Sequence, residues 1–96
     1  MSEPETRVRA CCVFHGRVQG VFFRAHTEAY AVSAHLTGWV RNLPDGTVEA
    51  LFEGRKEDIL AVIHRCRYDQ PHAKVTDIDL EWCKATGEFH SFSIHR

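Results

Sequence analysis

Two stretches with the repeat of an amphipathic helix each lie between stretches with the repeat of a strand, and that alternation narrows the architectures open to this chain. Residues 8–15, VRACCVFH, put Val8, Ala10, Cys12 and Phe14 on one face of a strand. Residues 22 to about 34 change to a helical repeat, with Phe23, Thr27, Tyr30, Ala31 and Ala34 able to line one stripe over a sheet. Residues 36–42 and 47–53 are β-rich and joined by Leu43-Pro44-Asp45-Gly46, where Pro sets the first φ of a turn and Gly allows a positive one. That pair predicts a hairpin. RKEDILAVIHRCR, residues 55–67, predicts a second helix with Ile59, Leu60, Ile63 and Cys66 inward, acids at its start and arginines at its end, as the helix dipole prefers.

Residues 75–82 alternate again, with Thr76, Ile78, Leu80 and Trp82 on one face and Val75, Asp77, Asp79 and Glu81 on the other. The acidic row reads as a solvated face. After a turn at Thr86-Gly87, Phe92 and Ile94 fit a short final strand. The order β-α-β-β-α-β plus a short extra strand matches a ferredoxin-like α+β sandwich, two helices on one face of a mostly antiparallel sheet. Ninety-six residues suffice for one such domain, expected over residues 7–96 behind a flexible tail over residues 1–6.

The formal net charge of −1 supplies no broad field for nucleic acid or an anionic membrane, so any anion site must be local. No apolar segment is long enough for a membrane span or a secretory core, which leads to the expectation of a cytoplasmic protein. Cys11 and Cys12 are adjacent on a strand and point to opposite faces, against a disulfide framework, and neither C-x-x-C nor zinc-site spacing occurs. No metal and no cofactor are expected. With no long apolar stripe left over, a monomer is expected.

The stretch His15 to Arg24, HGRVQGVFFR, joins the first strand to the first helix. Backbone N–H groups of Gly16, Arg17, Val18, Gln19, Gly20 and Val21 lack intrahelical partners there, and a glycine-containing turn can aim such groups at one anion, particularly phosphate. Arg24 falls in the first helical turn, where a cation conflicts with the dipole; a bound phosphate would offset that conflict and accept a forked pair of hydrogen bonds. A plainer reading stands beside it. The conflict costs only about 0.3 to 1 kcal/mol at a surface, Glu28 could pair with Arg24, and the glycines could simply make a turn. Asn42, just before Leu-Pro-Asp-Gly, reads from its spacing as a turn former.

GRVQGVFFR at residues 16–24 and GWVRNLPDGTVE at residues 38–49 resemble the two signature stretches of the acylphosphatase family. The likeness continues through Glu53-Gly54, the second helix and the closing SFSIHR. It implies the same ferredoxin-like sandwich and metal-independent hydrolysis of acyl phosphates to a carboxylate and inorganic phosphate. It implies further that Arg24 and main-chain N–H groups of residues 16–21 hold the phosphoryl group, while the amide of Asn42 orients the attacking water. An acyl phosphate has a good leaving group, so positioning and charge stabilisation suffice. No covalent intermediate is expected, with a substrate or phosphate oxygen taking the proton. Arg17 and Gln19 are expected to contribute backbone only.

Two positions depart from the family's pattern. His35 stands where glycine commonly ends the first helix and must take a left-handed or altered cap, and Asp69 replaces a glycine before the fourth strand. Other functions of this topology find less support. A non-catalytic anion-binding module would not need Asn42 beside Arg24. An RNA-binding domain wants aromatics that TVEALFE, residues 47–53, does not supply, and a metal carrier wants paired thiols.

Overall fold

The computed structural model describes residues 6–96; of the tail expected over residues 1–6, residues 1–5 lie outside the described residues. The elements are β1 (Arg7–Arg17), α1 (Phe23–Ser33), β2 (Thr37–Asn42), β3 (Val48–Arg55), α2 (Lys56–Tyr68), β4 (Lys74–Lys84) and β5 (Phe92–His95). They form one five-stranded sheet in the order β4-β1-β3-β2-β5, antiparallel except where β5 runs parallel to β2. Ala10, Cys12 and Phe14 of β1 and Val48, Ala50 and Phe52 of β3 are fully buried on the side covered by the helices. Phe23, Thr27, Tyr30 and Ala31 of α1 and Ile59, Val62, Ile63 and Cys66 of α2 close the core from above.

The structure corrects two details of the sequence reading. β1 continues two residues beyond His15, so Gly16 and Arg17 belong to the strand and pair with Val75 and Lys74 across a bulge. Gly16 is required there: its φ is +115°, and a Cβ would lie 2.2 Å from the Lys74 carbonyl oxygen. Leu60 is 44% exposed and Val62 takes its place in the core, because the stripe 59, 62, 63, 66 keeps one helical face and Leu60 falls a quarter-turn off it. On the edge strand β4, Leu80 lies opposite Cys12 on the helix-facing side and is 40% exposed.

The end of α1 shows how the chain manages without the expected glycine. His35 adopts φ +60°; its N–H donates to the Val32 carbonyl at 3.1 Å and that of Leu36 to Ala31 at 2.9 Å. These two bonds form a Schellman cap, and buried Leu36 supplies its apolar contact. The β2–β3 turn closes as expected, with the Leu43 N–H donating to Thr47 at 2.9 Å and the Gly46 N–H to Leu43 at 3.2 Å.

The sheet's other face carries a buried carboxylate that sequence spacing did not single out. Glu53 is 1% exposed beneath the segment linking β4 to β5. It accepts from Arg9 Nε at 2.6 Å, from the Thr86 N–H at 2.9 Å and from the Gly87 N–H at 3.1 Å. Burial pushes its carboxyl up, but the Thr86 N–H, Arg9 and the Gly87 N–H outweigh that and hold it below the usual carboxylate range.

Candidate active site

Between β1 and α1 the chain alternates anchored and free positions. Val18 and Val21 are buried in the core and pin the backbone at two points. Between and after them Gly20 has φ +73° and Phe22, the residue before the helix, φ +62° with its ring 74% exposed. A bulky residue in the left-handed region is a strained one, and it is flanked by the buried Val21 and Phe23, which fix the backbone on either side. No side chain caps α1, no acid lies in its first turn, and the N–H groups of Gln19, Gly20, Val21 and Phe22 donate to no described residue. The loop therefore presents uncompensated positive dipole ends.

Gln19 does more than the backbone role expected of it. Its Nε2 donates to the Leu43 carbonyl and to the Thr47 carbonyl, both at 2.8 Å, and so uses both amide hydrogens on the two ends of the β2–β3 turn. This cross-link holds the loop against the residue that precedes the turn, Asn42. A glutamine between two glycines was the available signal, but the acceptors lie 24 and 28 residues away and no spacing rule names them.

Asn42 ends β2. Strand alternation puts it with Gly38 and Val40 on the helix-facing side, whereas Arg41 faces the other way, ion-paired to Glu49 at 2.7 Å and lying over the Trp39 ring. Asn42 Oδ1 is buried and has no hydrogen-bond partner among the described residues. Such an atom is expensive to leave unpaired, so an acceptor stands unfilled in a residue at the edge of a depression shared with Arg24.

Arg24, in the first turn of α1, is half-buried and donates from Nη1 to the His95 carbonyl of β5 at 3.2 Å. Among the described residues it makes no ion pair, so Glu28 does not neutralise it, and its remaining N–H groups are available. One cavity of about 290 Å³ is lined by Val18, Gly20, Phe22, Arg24, Asn42 and Ile94, with Phe23 and Ala25. A wider opening of about 580 Å³ next to it is lined by Arg24, Asn42, Ile94 and Arg96. Residues far apart in sequence thus converge on one depression. Of the loop residues expected to hold the anion, Gly16, Arg17, Gln19 and Val21 do not line it. Among the described residues no cluster of His, Cys, Asp or Glu could hold a metal ion.

The arrangement offers fixed N–H dipoles, a guanidinium and an amide around an open depression, a donor set suited to a tetrahedral oxyanion. Comparison with known proteins points the same way. The acylphosphatase family model matches residues 11–94. An acylphosphatase of Syntrophus aciditrophicus is 53% identical over 79 residues, covering 82% of each chain. One of Pelotomaculum thermopropionicum is 44% identical over 89 residues, covering 93% of this chain and 97% of its own. The crystal structure of acylphosphatase from Bacillus subtilis superposes with a TM-score of 0.88 at 35% identity, covering 93% of this chain and 99% of that one. Since the match takes in both helices, all five strands and the loop before Arg24, this chain belongs to the acylphosphatase family.

Proposed function

We propose that this chain hydrolyses acyl phosphates by holding the phosphoryl group between Arg24 and the N–H groups of residues 19–22, with Asn42 orienting the attacking water. The observation that carries the reading is the convergence of Arg24, Asn42 and the loop residues Gly20 and Phe22, whose N–H groups are unpaired, on a single cavity. The phosphoryl oxygens accept from the loop dipoles and from the guanidinium, whose hydrogen bond to His95 limits its freedom. The Asn42 amide accepts a hydrogen from water through Oδ1 and can donate from Nδ2 to a phosphoryl oxygen, which fixes the water in line. The good leaving group departs as a carboxylate, and a phosphoryl or substrate oxygen takes the water's proton. Neither a metal nor a covalent intermediate enters this scheme.

The test is an acyl-phosphate hydrolysis assay with excess chelator and increasing inorganic phosphate. Turnover is expected to be unchanged by the chelator and competitively inhibited by phosphate. Activity that vanishes with the chelator and returns with a divalent ion would sink the reading. Gln19→Ala is expected to lower kcat by about 10- to 100-fold, because the loop and Asn42 lose their tie and small misplacements are costly. Kinetics of the purified variant at a preserved circular dichroism spectrum check this.

We further read residues 7–96 as one domain, acting as a monomer in the cytoplasm. All four cysteines are free, the exposed large apolar side chains are scattered, and no helix among the described residues is long and apolar enough to cross a membrane.

A further inference from the structure

The face of the sheet turned away from the helices carries a pair of thiols that the hydrolytic reading does not use. Cys12 enters the core, so its neighbour Cys11 turns to the opposite face. The antiparallel register sets Cys11 opposite Glu81 and Arg9 opposite Cys83, which makes Cys11 and Cys83 diagonal neighbours on that face. Burial and then the adjoining Cys83 sulfur push the Cys11 thiol up. Cys11 is half-buried and Cys83 exposed, and both are free. The other two thiols are enclosed, and burial pushes Cys12 up to about 12 and Cys66 up to about 11.

We propose that Cys11 and Cys83 form a redox modification site that closes into a reversible intramolecular disulfide by exchange with a low-molecular-weight disulfide of the glutathione class. Cys83, the more accessible, gives its proton to solvent, and its thiolate attacks one sulfur of the small disulfide. That S–S bond breaks and one small thiolate leaves. Cys11 gives its proton to solvent and attacks Sγ of Cys83, the second small thiolate leaves, and each leaving group takes up a proton. Two protein thiols are oxidised and one small disulfide is reduced to two thiols. A diagonal bridge asks the strands to shift, and β4 can do so because it pairs with β1 alone at the sheet edge. A bond made in that geometry is more easily reduced than a relaxed one, so the modification is reversible.

The reduced chain is equilibrated with an excess of oxidised glutathione, quenched by alkylation, and read by intact mass and peptide mapping. The expected product has lost two hydrogens, links the Cys11 and Cys83 peptides, and returns to the starting mass with dithiothreitol. Cys11→Ser is expected to stop at a single glutathionyl adduct on Cys83. An unchanged mass, a lasting glutathionyl adduct on the unsubstituted chain, or a cross-link through Cys12 or Cys66 would each overturn the proposal.

Discussion

Arg24→Ala is expected to lower kcat/KM for an acyl phosphate by about 10³- to 10⁵-fold, the range associated with an arginine that stabilises a transferring phosphoryl group. The side chain lines the cavity and is the one charged group among its lining residues, whereas Arg96 lines only the wider opening beside it. Phosphate inhibition should weaken together with turnover. Asn42→Ala separates the two properties. Its loss removes one oriented group beside the water, expected to cost about 10²- to 10³-fold in kcat, while the loop and Arg24 still bind phosphate. Steady-state kinetics and phosphate inhibition constants for both variants check the division. Parental turnover in Asn42→Ala would show that the water is positioned by something else.

Glu53→Ala is expected to destabilise the fold by about 3 to 5 kcal/mol, the cost of breaking a buried ion pair from one side. Arg9 and the N–H groups of Thr86 and Gly87 would lose their shared acceptor in a place that water reaches poorly. The catalytic constants of the surviving folded fraction should change little, since the carboxylate lies on the opposite face of the sheet. Glu53 also gives stability a direction in pH. Its carboxyl titrates below the usual range when folded, so the unfolded chain binds the proton first. The stabilisation is complete above the unfolded carboxyl pKa of about 4.3 and is lost as pH falls through the lower folded value. Denaturation midpoints across that acidic window should fall more steeply for the parent than for Glu53→Gln.

The elements were readable where one local rule acted alone. Alternation in β1, the proline-glycine turn after β2 and the dipole-matched charges of α2 each set an element without help from distant residues. The misplaced boundaries have a common physical origin. Gly16 looked like loop because glycine permits turns, but the tight approach of Lys74 across the bulge requires the same residue within a strand. Leu60 is as apolar as its neighbours, and only the azimuth of the helix excludes it.

The site divides along the same line. Arg24 betrayed itself through a conflict with the helix dipole, a local quantity. Asn42 carried no such conflict, and only family resemblance separated it from an ordinary turn residue. The amide ties of Gln19 and the acceptor shell of Glu53 join positions far apart in the chain, so neither periodicity nor composition could contain them.

The carbonyl of His95 that steadies Arg24 comes 71 residues later than the side chain it steadies. During synthesis the guanidinium therefore emerges from the ribosome long before its support exists, and β5 must still find its parallel place beside β2. A nascent chain halted before Phe92 would carry the loop, the helix and Asn42 yet lack the final clasp. Full hydrolytic competence should thus appear only once β5 has docked beside β2, instead of growing in proportion to the length already made.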